Sequence, residues 1–168
     1  MSRGFVKEGD QEETPIVKPR VHLPPGVINY VTPNGFEELK KEQNSLKDEI
    51  NKFEEQSFEK NRVEINYRTA MLQLLEERIN SAKIVDLMQH SQDIIHFGSI
   101  VTLFKEAEDC LCHYQIVGVD EANISLNKIS FLSPIAKVLL NKKVGDKVTL
   151  KTPKGQRIMR IESIDYPK

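Results

Sequence analysis

The stretch FEELKKEQNSLKDEINKF, residues 36–53, decides the architecture of this chain. Phe36, Leu39, Gln43, Leu46, Ile50 and Phe53 recur alternately three and four residues apart, the a/d spacing of a coiled-coil seam with one polar interruption. Nearly every other position is Lys, Glu, Asp, Asn or Ser, so a helix here can bury only one stripe. A second stripe follows in Ile65, Leu72, Leu75, Ile79 and Ala82, with Arg68 at a seam position. Between the two, EEQSFEKNR (residues 54–62) carries no seam and is the natural reversal. No Gly or Pro interrupts residues 36–97, so one continuous helix is also open to the chain. Two stripes of equal length can bury each other without a second chain, which favours an antiparallel hairpin. At ~1.5 Å per residue, arms of about 22–27 residues give a hairpin ~35 Å long.

Working outward, Thr32-Pro33-Asn34-Gly35 reads as a helix start. Thr32 suits the N-cap, Pro33 the first helical position, and Glu37 and Glu38 sit where the helix dipole favours negative charge. Residues 1–31, with Pro15, Pro19, Pro24 and Pro25, read as extended, partly polyproline-like chain that could lie along the following domain or stay mobile; an arm with a frayed beginning is the favoured expectation. The hairpin unit is taken as residues 32–88.

Past Ile84-Val85-Asp86 the period falls toward two, and a third unit spans 95–168. SIVTLFK (99–105), LCHYQIV (111–117), ISLNKIS (124–130), DKVTL (146–150) and QRIMRIESI (156–164) read as strands separated by turn residues. Ser133 and Pro134 start one short helix over 133–140. The fold class expected is α+β: an N-terminal antiparallel coiled-coil hairpin, then a meander of about five antiparallel strands crossed by one helix.

Composition narrows the function. The 24 basic and 25 acidic side chains leave a net charge of −1, which argues against a domain that coats nucleic acid. No apolar run approaches the roughly 20 residues that span a bilayer, and MSRGFVKEGDQEE lacks the apolar core of a signal peptide. A cytoplasmic location and no membrane partner are expected. Cys110, Cys112 and His113 spell C-x-C-H, but a closed zinc site needs a fourth ligand and usually wider spacing, so reduced thiols are the better account. No nucleophile–base–orienter set or phosphate-binding Gly loop is visible, and an independent enzyme is not expected.

Several literal strings then become informative: YVTPNG (30–35), AKIVD (82–86), FG (97–98), YQIVGVDEA (114–122), ISFLSPIAKVLLNKKVGDKV (129–148) and KTPKG (151–155). In these, and in the order of elements, residues 30–168 resemble the bacterial Gre transcript-cleavage and transcription elongation factors, in a branch with an extended N-terminal arm. The resemblance implies an FKBP-like C-terminal domain that docks on RNA polymerase at its secondary channel while the coiled coil enters the channel to modulate elongation. It implies contact with nucleic acid only indirectly, within the elongation complex, and no cofactor of the chain's own. In relatives that stimulate cleavage, tip carboxylates help hold a Mg²⁺ ion shared with the polymerase active site.

The tip of this chain departs from that pattern. Relatives that cleave carry G-D-x-x-E-N-A-E-Y, whereas residues 59–67 are EKNRVEINY. Matching Tyr67 to the closing tyrosine puts Lys60 where the Asp belongs and Val63 where the Glu belongs. The arms also look about one heptad shorter, ~10 Å less reach. No catalytic residue transfers, although Glu54, Glu55 and Glu59 lie at or beside the reversal as candidates for a cleavage-active alternative. For polymerase binding, the resemblance points to Ser133 and Pro134, two residues that helix capping alone would also require, and to Asp120 in the acidic pair Asp120-Glu121, a pair that is more often a solvated loop. Leu132 before Ser133 joins this candidate surface as a departure, since relatives usually carry a polar residue there and the change would alter polymerase affinity or partner choice. An FKBP-like peptide binder or isomerase is a further alternative, but no deep aromatic pocket is legible. A monomer is expected.

Overall fold

The computed structural model describes residues 15–89 and 93–167. Residues 1–14 of the arm, part of the polar stretch after Gln89, and Lys168 lie outside these.

Strand β1 (Asn29–Val31) leads directly into α1 (Pro33–Asn80). Thr32 caps that helix in extended conformation, its Oγ1 accepting from the Gly35 N–H at 2.9 Å, with Pro33 next as N1. Inside α1 one residue, Ser57, leaves helical geometry (φ 179°, ψ 110°), and there the chain doubles back. The arms are therefore residues 33–56 and 58–80. Asn61 Nδ2 closes the turn by donating to the Phe53 carbonyl at 2.9 Å, satisfying one of the acceptors that a helix end leaves open.

The seam is the one the heptads define. Leu39, Gln43 and Leu46 of the first arm and Ile65 and Leu75 of the second are buried. Val31, Leu39, Leu46 and Leu75 form a cluster onto which Phe36, Met71, Leu72, Ile79 and Ala82 pack. Both polar seam residues find partners across it. Gln43 donates to Glu76 at 3.0 Å, and Arg68 donates to Glu49 at 2.7 Å while its guanidinium lies 4.6 Å from the Phe53 ring centre. Arg68 is held charged more firmly than usual, chiefly by the hydrogen bonds it donates to Glu49 and Glu64.

The second arm stops at Asn80, short of residue 88. Strand β2 (Ala82–Ile84) then pairs with β1 in parallel register, Asn29 opposite Ala82 and Val31 opposite Ile84. The sequence reading placed these residues in an arm and a coil end. Short strands of three residues leave too little periodicity to see, and their pairing exists only because the hairpin brings its two ends together.

The C-terminal domain holds β3 (Ile100–Lys105), β4 (Cys110–Val117), β5 (Lys128–Ser130), α2 (Pro134–Leu139), β6 (Lys147–Thr152) and β7 (Gly155–Asp165). The sheet order is β5-β4-β3-β7-β6, so it is not a simple meander: the last strand inserts between β3 and β6. Nor is it wholly antiparallel, since β5 runs parallel to β4. The expected strand 124–130 is strand only over its last three residues. Ile124–Leu126 is a single 3-10 turn capped by Asn123, ending at Asn127 in the left-handed region (φ 55°), which Asn tolerates better than most residues. Val101, Leu103, Ile116, Val148, Met159 and Ile161 turn one sheet face onto Ile95 and onto Ala136 and Leu139 of α2. Among the described residues no helix is long and apolar enough to cross a membrane.

Leu75, fully buried in the seam, tests whether the hairpin is held by this stripe. Leu75→Ala is expected to destabilise the protein by about 2–5 kcal/mol, read as a lower urea midpoint by circular dichroism, with little change for the exposed neighbour Gln73→Ala.

Candidate functional site

Three regions carry the residues singled out above: the hairpin tip, the turn into α2, and the acidic turn after β4. They sit at different places in the molecule and do different things.

At the tip, Glu54, Glu55 and Glu59 are all exposed, as are Lys60 and Val63, the latter 78% accessible. Phe58 is half exposed beside them. Among the described residues, no three His, Cys, Asp or Glu side chains converge closely enough to hold a metal ion. The tip thus offers scattered carboxylates with an exposed aliphatic and an aromatic group.

The turn into α2 brings Leu132, Ser133 and Pro134 together. Ser133 Oγ accepts from the Ala136 N–H at 3.2 Å as the N-cap, and the Leu132 N–H donates to Ser130 Oγ at 3.1 Å. Pro134 is exposed, and Leu132 and Ser133 are half-buried, so the local backbone is pinned while one edge of the turn faces outward.

The acidic turn behaves differently from the solvated loop expected of it. Asp120 does not join the Ser-Pro turn on an exposed surface: its side chain is only 6% accessible and faces the base of the hairpin. Oδ1 accepts from Arg20 Nε at 3.0 Å, and Oδ2 lies 3.1 Å from Arg78 Nε without the alignment of a hydrogen bond. Glu121 is buried too. One of its oxygens accepts from Thr32 Oγ1 at 2.6 Å, the short distance of a charge-assisted bond, and the other from Lys128 Nζ at 3.1 Å.

These contacts explain two of the strings. Thr32 serves two partners at once, accepting from the helix it caps and donating to Glu121. Gly35 is small because a Cβ there would collide with the Glu121 carboxylate. Gly118 is small because a Cβ there would meet the Tyr30 carbonyl at 2.6 Å, where β1 runs close over the sheet domain. TPNG and GVDE are the two halves of one joint. Beside it, Tyr30, Phe97 and Phe131 stack mutually with ring centres 5.7–5.9 Å apart. Sequence reading missed Arg20, Arg78 and this aromatic trio. The visible signals were an isolated arginine in a proline-rich arm and the place of Tyr30, Phe97 and Phe131 within the strings quoted above.

The remaining sequence candidates are unremarkable in placement. Cys110 and Cys112 are free thiols, the second raised in pKa by burial. His113 Nε2 lies 3.4 Å from Asn127 Nδ2. A cleft of about 480 Å³ lies between the helix start and the sheet, lined by residues including Pro33, Leu87, Met88, Ile100 and Pro167, with no Phe or Tyr in its wall.

A coiled-coil hairpin seated by buried carboxylates on a small α+β domain defines a class of two-part proteins that present a helical tip at a distance. Residues 89–166 match the family model described as transcription elongation factor, GreA/GreB, C-term. Transcription elongation factor GreA of Vesicomyosocius okutanii is 40% identical over 114 residues, 67% of this chain and 66% of that protein. GreA of Acidiphilium cryptum is 42% identical over 92 residues, 55% of this chain and 59% of its own. The matched stretches thus span about three-fifths to two-thirds of those relatives' lengths. Among solved structures, GreA factor homolog 1 (Gfh1) of Thermus thermophilus aligns over 81% of this chain and 97% of its own, at 28% identity and a TM-score of 0.40. The chain belongs to the GreA/GreB family.

The joint's chemistry sets an expected cost. Thr32→Ala removes both the helix cap and a donor to a buried carboxylate, and should lower stability by about 1–3 kcal/mol in chemical denaturation. Thr32→Ser, which keeps the hydroxyl, should recover most of it.

Proposed function

We propose that this protein binds RNA polymerase at its secondary channel through the C-terminal domain, inserts the hairpin, and modulates elongation without stimulating transcript cleavage. The observation that carries this reading is the tip. A member of this family presents a helical hairpin on a firmly seated domain, yet the positions corresponding to the family's acidic tip residues are an exposed lysine, Lys60, and an exposed valine, Val63. Glu54, Glu55 and Glu59 form no convergent set that would hold a metal ion. Mg²⁺ retains much of its water and is held through well-placed carboxylates, so dispersed glutamates on shortened arms are poor substitutes. The outward edge of Leu132, Ser133 and Pro134 is the surface assigned to polymerase. Asp120 is left out of it, because its carboxylate is engaged with Arg20 and Arg78. The aromatic side chains Phe97 and Phe131 are engaged with Tyr30, which weighs against a peptide-isomerase pocket.

Two measurements test this. Core RNA polymerase should retain the protein in a pull-down, in competition with a cleavage-active Gre factor, and Pro134→Ala with Leu132→Asp should weaken retention; no retention at all removes the proposal. In a backtracked elongation complex the protein should leave the RNA uncut at concentrations where it competes. Cleavage that disappears on changing Glu54, Glu55 and Glu59 to Ala would instead establish a cleavage-active factor.

A further inference from the structure

The described part of the N-terminal arm, residues 15–31, takes part in neither the tip nor the Ser-Pro turn, yet it reaches the joint. Its course is set locally: the Val27 N–H donates to the Pro24 carbonyl at 3.1 Å, with Pro25 and Gly26 at the corner, and Gly26 has φ +80°, as a type II turn requires. The preceding residues then lie over the second hairpin arm, where Arg20, Val21 and Leu23 border a cleft with Leu74 and Arg78. The Val21 carbonyl accepts from Arg78 Nη2.

From that position Arg20 makes a three-way connection. Nη1 and Nη2 donate to the two oxygens of Glu42 at 2.8 and 3.1 Å, a fork on the first hairpin arm. Nε donates to Asp120 Oδ1 at 3.0 Å, on the sheet domain. Arg78 of the second arm approaches the other Asp120 oxygen. Two guanidinium groups and two carboxylates thus neutralise each other, with Asp120 nearly sealed and Arg20 21% accessible. Burial taken alone would weaken Arg20 as a cation, but Glu42 and Asp120 outweigh it and raise its pKa.

We propose that the arm is a strap: through Arg20 it ties the first hairpin helix at Glu42 to the sheet domain at Asp120, and so fixes the angle at which the hairpin leaves that domain. Apart from Arg78, which meets Asp120 near the end of the second arm, the other contacts of the joint cluster around the helix start, with Lys128 4.0 Å from Glu38 the furthest along the first arm. Thr32 and Gly35 meet Glu121 in the first turn of α1, and Tyr30 meets Phe97 and Phe131 just before it. Glu42 lies further up the first arm, so a tie there resists tilting that contacts at the pivot resist poorly. Leverage makes this matter: with a ~35 Å hairpin, a tilt of about 10° moves the tip ~6 Å. The proposal concerns the free protein and stands whether or not polymerase is the partner.

The test is a distance distribution in the full chain. Spin labels are placed by Lys60→Cys at the tip and Lys154→Cys in the β6–β7 turn, with Cys110→Ser and Cys112→Ser removing the native thiols, and pulsed dipolar spectroscopy reads their separation. The parent should give one narrow peak. Arg20→Ala should lose that peak to a broad or shifted distribution while far-UV circular dichroism keeps its helical signal. Glu42→Gln, which removes a charge without changing shape, should broaden it too. A parent-like narrow peak in both variants overturns the strap, as does a lowered melting temperature with unaltered distances.

Discussion

The placement of the hairpin depends on two adjacent carboxylates that are held out of water. Asp120 and Glu121 follow β4 into the joint, and a buried carboxylate is tolerated only when its lone pairs are met by donors or cations. Each is met from the other side of the joint, Asp120 by Arg20 and Arg78, Glu121 by Thr32. The requirement is mutual. The helix start needs an acceptor for its capping hydroxyl, and the sheet domain needs cover for its acidic turn. Neither half would be well satisfied alone, so the two are oriented by what each lacks.

How much of this was legible in the sequence follows from how local each feature is. The hairpin and its reversal were legible because heptad spacing is written in neighbouring residues, and Leu39, Leu46, Ile65 and Leu75 are buried as that spacing requires. Thr32-Pro33 and Ser133-Pro134 announced their helices for the same reason. Sheet order was not legible, since period-two patterns define strands without saying which pair. The insertion of β7 between β3 and β6 is settled by packing across distant segments. Least legible was the joint. Asp120 reads as a solvated turn residue because its partner Arg20 lies 100 positions away. The candidate tip was the reverse case: its departure from the family pattern can be read residue by residue, and the structure adds exposure and the lack of convergence.

The seam itself shows how a marginal element is kept in one register. Gln43 and Arg68 occupy positions where a leucine would add more burial, yet each has a specific partner on the opposite arm, Glu76 and Glu49. Polar groups at seam positions lose stability when displaced from their partners, so they penalise sliding of one arm along the other. A hairpin whose reach matters benefits from such penalties more than from a uniformly greasy interface.

The single-residue reversal at Ser57 has an electrical consequence. The first arm ends there and the second begins there, so the negative pole of one helix and the positive pole of the other lie next to each other. The fields of two nearly equal antiparallel macrodipoles largely cancel a short distance beyond the tip. Unlike a lone helix end, this tip has little backbone potential with which to draw an ion or phosphate. Whatever charge preference it shows must therefore be set by its side chains, and in this chain those are of both signs.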